Sequence, residues 1–259
     1  MYEPPALFAS EEQKAARQPG SPGLKIALFG ATGNVGKRIA REALDRGYEV
    51  LGVVRDPAQY QARDPRLRLV RGDATDAASV SRVAQGANVV VSAVSPRPDP
   101  RGLPAPSLAS AASALIAGTR EAGVRRLVVV GGSSTLEVSP GARLIDTGAV
   151  PEEFRAEGRE HADALAVYRA DAGDLDWVVV RPAAIFQPGE RTGTYRTTGD
   201  QVPVDDDGQS RVSFEDYAVA LVDELEQPQH RREAYGVGAA AGRDSAGPDE
   251  AGSSSPRRS

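Results

Sequence analysis

Short runs of apolar, often β-branched residues alternate along the chain with longer stretches whose apolar positions recur every three or four residues. That alternation predicts strand–helix–strand units around a parallel sheet, an α/β fold wound in both directions from its centre. The first strand is predicted over Lys25–Phe29, and Asn34–Arg46 then places Val35, Ile39, Ala40, Ala43 and Leu44 on one helical face before Gly47. Further strands are predicted over Glu49–Arg55, Leu67–Arg71, Asn88–Val94, Leu127–Val130 and Trp177–Val180, with helices over Ala77–Ala84, Ser107–Ala122 and Pro151–Ala170. The near-continuous valines of the fourth strand predict burial on both faces. Residues 131–150 and 186–212 lack either period and read as loops. Ser213 and Asp216 have the spacing of a reciprocal cap on a helix running to about Gln227, and a last short strand is predicted over Ala234–Val237. Residues 24–240 thus read as one domain, with 186–240 as a smaller part covering a substrate. The segments 1–23 and 241–259 lack a sustained apolar pattern and are expected to be disordered.

Composition narrows the chemistry. The 259 residues contain no Cys, so disulfides, thiolate nucleophiles and Cys-ligated metals are excluded. With His161 and His230 as the only histidines, no metal site is expected. A net charge of −5 without a basic block argues against a nucleic-acid partner. No apolar run approaches the roughly 18 residues of a membrane span, and the first residues do not resemble a secretory signal, so the expected compartment is the cytoplasm. Of 31 basic residues only Lys14, Lys25 and Lys37 are lysines.

Between the first strand and helix stands Gly30-Ala31-Thr32-Gly33-Asn34-Val35-Gly36. A glycine turn in that setting allows a tight bend, lets backbone N–H groups approach a pyrophosphate at the helix N-terminus, and permits close helix–strand packing. These seven residues are therefore candidate cofactor ligands. Where an NAD-selective site would place an acid at the end of the second strand, this chain has Arg55, which can pair with a 2′-phosphate. NADP(H) is accordingly the expected cofactor, with NAD(H) as the alternative and with Lys37 or Arg38 as possible helpers.

The Gly-x-x-Gly-x-x-Gly spacing, together with GATGNVGKRI, VVRDP, GDATD, VVVGGSSTLEV, RPAAIFQPGERTGTYR and SRVSFEDYAVALVDELEQPQH, resembles the atypical branch of the short-chain dehydrogenase/reductase superfamily. Within it, the chain is similar to the NAD(P)H-binding, NmrA-like proteins labelled NADH-flavin reductases, and to biliverdin reductase. The likeness spans about residues 24–240 and implies a Rossmann-like, doubly wound, mostly parallel sheet with helices on both faces. It further implies that Asp73 lies near the adenine and that Ser92, Ala93 and Val94 line the cofactor. A histidine near the substrate pocket of related reductases corresponds to His161, although the polar neighbours of His161 also suit a solvent-facing helix residue.

The superfamily's Tyr-x-x-x-Lys pair is absent, because no lysine follows Lys37 and arginine is no substitute. Alcohol oxidation by that route is disfavoured. Hydride transfer to a flavin, quinone or similar planar acceptor requires binding and orientation rather than that pair, with flavin as a substrate rather than a resident group. Ligands in such sheets sit beyond the strand carboxyl ends. Ser133, Pro182, Ala183 and Ile185 are therefore expected at the nicotinamide, Ser133 and His161 as catalytic candidates, and Ser134, Phe186 and Tyr195 around the substrate. Glu190, Arg191 and Arg196 either close the pocket or form solvated ion pairs, and Asp205–Gly208 reads as a turn between strands rather than a calcium loop. The competing readings are a non-catalytic NADP(H) sensor that binds a protein partner, and an epimerase-like enzyme. Oligomeric state stays open.

Overall fold

The alternating apolar runs become a layered α/β structure in the computed structural model, which describes residues 23–60, 64–97 and 104–240. The predicted disordered ends, apart from Gly23, lie outside the described residues. In chain order the elements are β1 (Lys25–Phe29), α1 (Gly36–Asp45), β2 (Glu49–Val54), β3 (Arg68–Arg71), α2 (Ala77–Ala84), β4 (Val89–Ser92), α3 (Leu108–Glu121) and β5 (Arg126–Val130). After them come β6 (Glu137–Ser139), β7 (Ala142–Arg143), α4 (Glu152–Asp171), β8 (Asp176–Pro182), β9 (Ile185–Gln187), β10 (Tyr195–Thr198), β11 (Arg211–Ser213), α5 (Phe214–Glu226) and β12 (Glu233–Ala239).

Eight strands form one sheet in the order β10-β12-β8-β5-β4-β1-β2-β3. All neighbouring pairs are parallel except β10 with β12. The chain winds outward from β1 to β3, then returns to place β4 on the other side of β1. This reversal leaves a crevice beyond the carboxyl ends of β1 and β4.

Strand alternation divides the core in two. Ile26, Leu28, Val89, Val91, Val128, Val178 and Val180 face α1 and α5, whereas Ala27, Phe29, Val90, Leu127, Val129 and Val179 face α2, α3 and α4. At Gly118 a Cβ would lie 2.5 Å from the Ala77 carbonyl oxygen and from the Val80 side chain, so this glycine sets how closely α3 approaches α2. Trp177 is buried and stacks with Tyr168 at 6.3 Å, the packing role its place in the sixth predicted strand suggested.

Three departures from the sequence pattern have local reasons. The predicted loop 131–150 contains the β6–β7 hairpin, and 186–212 contains β10 and all of β9 but Ile185, while β11 begins at its end. Each of these strands is two to four residues long, too short for a period to register. The cap at Ser213 works in one direction: its Oγ accepts from the Asp216 N–H at 2.9 Å, but the Asp216 carboxylate accepts from Thr192 Oγ1 and the Gly193 N–H instead. Asp216 thereby fastens the 190s loop to α5. The turn at Asp205–Gly208 forms as expected, Asp205 Oδ1 accepting from the Asp207 and Gln209 N–H groups.

Candidate functional site

A cleft of 1430 Å³ opens at the carboxyl edge of the sheet, above the crevice between β1 and β4. One end is built by the glycine turn. Gly30 has φ +77°, and a Cβ there would stand 2.6 Å from the Ala93 carbonyl oxygen, so both the bend and the close approach of the loop after β4 require glycine. At Gly36 a Cβ would lie 2.1 Å from the Gly30 carbonyl oxygen, which fixes the close seating of α1 against the turn. Gly30, Thr32, Gly33, Asn34 and Val35 line the cleft. Ala31 and Gly36 do not: Ala31 is 1% exposed in the core, and Gly36 acts through packing. Gly30 and Gly33 leave backbone uncovered at the turn into α1, a shape and polarity that suit a pyrophosphate.

Arg55, Asp73, Ala93 and Val94 also line this end. Arg55 donates to the Pro104 carbonyl at 3.0 Å from beyond the end of β2. Asp73 Oδ1 accepts from the Thr75 N–H and hydroxyl at 2.9 and 2.7 Å, which holds the turn after β3. Ser92 departs from expectation. As the last residue of β4 it shares the parity of Val90, points toward α3 and α4, and lies outside the cleft wall. The proposed helpers also face elsewhere, since Arg38 pairs with Glu215 and donates to the Asn34 carbonyl, and Lys37 bonds Asn34 Oδ1.

The opposite end is built by β5, β8 and α4. Ser133, Ser134, His161, Pro182 and Phe186 line it, joined by Phe154, Glu157 and Phe214, to which sequence reasoning assigned no role. After β8 the extended chain alternates, so Pro182, Ala184 and Phe186 face the cleft. Ala183 is fully buried, donating its N–H to the Val237 carbonyl, and Ile185 is 44% exposed away from the cleft, so the earlier placement of these two is corrected. Phe186 packs edge-on against Phe214 at 4.5 Å and forms an aromatic wall.

His161 is part of the wall rather than a solvent-facing residue. Gly158, His161, Leu165 and Tyr168 fall on one face of α4 at helical spacing, and that face turns inward. A Cβ on Gly132 would meet the His161 ring at 2.6 Å, and one on Gly158 would meet the Ser134 Cβ at 3.1 Å. Two glycines therefore let α4 and the Ser133–Ser134 turn interlock. Burial pushes the imidazole pKa down to about 4, with Glu157 opposing and Arg97 adding to the effect. The ring is therefore neutral near pH 7. Arg97 and Glu157 form an ion pair of 2.8 Å between the loop after β4 and α4, both on the cleft wall. The Ser134 hydroxyl donates to the Gly158 carbonyl at 3.2 Å, whereas the Ser133 hydroxyl has no hydrogen-bond partner among the described residues. Beneath this turn, fully buried Arg181 donates to the carbonyls of Thr135, Gly199 and Ala234 and pairs with Asp200 at 2.9 Å.

Tyr195 lies outside the cleft. It sits on β10, packs against the core under α1 and α5, and donates to Asp223 at 2.8 Å, so a role over the substrate is not supported. Arg191 pairs with Glu42, and Arg196 with Asp206; neither they nor Glu190 line the cleft. Among the described residues there is no group of three metal-ligating side chains, and no helix is long and apolar enough to cross a membrane.

Residues 30–228, from the first glycine of the turn to two residues past α5, match the family described as NAD(P)H-binding. The chain belongs to that family. Its relatives within or beside the NAD(P)H-binding family include an uncharacterized Bacillus subtilis protein, YwnB, 33% identical over 217 residues that cover 83% of this chain and 98% of the relative. A Burkholderia pseudomallei structure provisionally described as an exported protein is 42% identical, covering 83% of this chain and 99% of that one with a TM-score of 0.73. A Streptococcus pneumoniae structure provisionally assigned as an NADH-flavin reductase is 31% identical, covering 84% and 100% of the respective chains with a TM-score of 0.72. Family membership supplies the nicotinamide nucleotide that the glycine turn fits.

Proposed function

We propose that this NAD(P)H-binding protein is a reductase that prefers NADPH and acts on a planar acceptor such as a flavin or quinone. The observation that carries the reading is one continuous cleft joining the glycine turn and Arg55 at one end to an aromatic wall, Ser133 and a neutral His161 at the other. When bound, the nicotinamide supplies a hydride. The chain's residues bind and orient: the turn Gly30–Val35 holds the pyrophosphate, Arg55 meets a 2′-phosphate, and Pro182 and Val94 flank the ring. Phe186, Phe214 and Phe154 provide flat apolar surface for a second ring system. Ser133 and His161 offer neutral hydrogen-bond donors to an acceptor oxygen as negative charge grows there. The assignment of the Streptococcus pneumoniae relative as an NADH-flavin reductase supports the acceptor class.

The test is NADPH oxidation by the purified protein across riboflavin, FMN and small quinones, in wild type and Arg55→Ala. The expected result is turnover with at least one acceptor and a selective rise of about tenfold in KM for NADPH in Arg55→Ala, the scale of one charge-assisted phosphate contact. Tight NADPH binding without turnover on any acceptor overturns the reductase reading in favour of a sensor. An equal change for NADH and NADPH overturns the role of Arg55.

A further inference from the structure

Beside the cleft, among β4, β5 and β8 and the helices α3 and α4, lies a small recess of 20 Å³ that shares Val94, Val130, Gly131 and His161 with the cleft wall. Its walls are mostly apolar, formed by Leu108, Ala111, Leu115, Val129, Leu165 and Val179, but three polar side chains reach it: Ser92, His161 and Tyr168. Ser92 and Tyr168 are each 3% exposed. Among the described residues neither hydroxyl has a hydrogen-bond partner, and neither does the His161 ring. Buried polar groups in proteins are almost always satisfied, by protein or by ordered water. Here the three residues line one recess whose 20 Å³ is about the space of one water molecule, which needs about 10–15 Å³ and two to four polar partners.

We propose that this recess holds an ordered water bridging Tyr168, Ser92 and His161, and that the bridge selects the imidazole tautomer that presents an N–H to the cleft. Burial raises the Tyr168 hydroxyl far above its ordinary titration range, so it is a permanent donor. The water accepts from Tyr168 and donates to the recess-side nitrogen of His161 and to Ser92 Oγ, which leaves the proton of the neutral ring on its cleft side. Tyr168 and Ser92 are then positioning residues that act through His161. No proton changes owner in this arrangement. The tautomer matters to catalysis only on the reductase reading above, where the cleft-side N–H meets the acceptor oxygen.

The two histidines make a direct measurement simple, because His230, held by Glu224 at 2.8 Å far from the recess, serves as an internal reference. Nitrogen-15 chemical shifts of both rings are recorded near pH 7 with saturating NADP⁺ in wild type, Tyr168→Phe and Ser92→Ala. The expected wild-type spectrum shows one dominant His161 tautomer. Loss of the bridge is expected to bring the ratio about fivefold closer to parity, the scale of one net hydrogen bond, with His230 unchanged. An unchanged ratio in both variants overturns the proposal, as does a high-resolution crystal structure without solvent density among the three side chains. Should Tyr168→Phe fold poorly, Ser92→Ala and the density decide it. These readouts need no turnover, so a protein that reduces nothing leaves the water bridge standing, and an unmoved tautomer leaves the reductase reading standing.

Discussion

His161 makes the stability of the protein sensitive to mild acid. Its folded pKa of about 4 lies below the ordinary 6.5, so the unfolded chain binds a proton at a pH where the folded chain does not. For a depressed pKa the stabilising contribution is complete above the unfolded value and is lost as pH falls from about 6.5 to about 4. At about 1.4 kcal/mol per tenfold change in proton affinity the gap is worth about 3 kcal/mol. One edge of the ring meets the cleft, and solvent screening there reduces the expected effect to about 2 kcal/mol. The assay is urea unfolding at steps of pH from 7.5 to 4.5 for wild type and His161→Gln, which cannot titrate. Wild type should lose about 2 kcal/mol more than the variant, and His230, common to both, cancels in the difference. Parallel curves would refute the burial of a neutral imidazole. Carboxylates contribute a later phase: burial pushes Glu42 up, but hydrogen bonds from Arg191 and Arg46 more than reverse this, so its contribution is present above pH 4.5 and lost below it.

Other expectations concern packing and the cleft wall. Gly36→Ala forces a Cβ to within 2.1 Å of a backbone carbonyl and should cost about 3 kcal/mol or more in chemical denaturation, with NADPH affinity falling alongside. Arg181→Met leaves the carbonyls of Thr135, Gly199 and Ala234 without their donor and should lower stability by about 3 kcal/mol, read as a fall in Tm. Phe186→Ala should raise KM for the acceptor about tenfold with little change in NADPH affinity, since its ring faces the aromatic wall. Tyr195→Phe should leave steady-state turnover unchanged while costing about 1 kcal/mol of stability through the lost bond to Asp223.

What could be read from sequence was what local chemistry controls. Strand β1, the glycine turn and helix α2 follow from short-range pattern, and the doubly wound sheet follows from their repetition. Side-chain direction at strand ends was less legible. Choosing Ala183 and Ile185 over Ala184 ignored the parity that Pro182 imposes on extended backbone, a signal that was present. Ser92 falls inside the strand predicted over Asn88–Val94 and shares the parity of Val90, but burial on both faces leaves no polar alternation to tell which face meets the cleft. Tyr195 was beyond reach, because β10 exists only by antiparallel pairing with β12, nearly forty residues later. His161 lies between these cases. The stripe Gly158, His161, Leu165 and Tyr168 was visible at helical spacing, but the polar residues adjacent in sequence masked it.

The place of β12 in the sheet bears on how the protein is made. This strand, among the last of the described residues, inserts between β8 and β10 and supplies the Ala234 carbonyl that Arg181 grips together with the Ser133–Thr135 turn. A nascent chain that has released everything up to α5 has its glycine turn and α4, yet Arg181 lacks one of its acceptors and β10 lacks its partner β12. The glycine-turn end of the cleft and the end built by β5, β8 and α4 should therefore mature at different times on the ribosome, the first early and the second only after β12 has threaded into place.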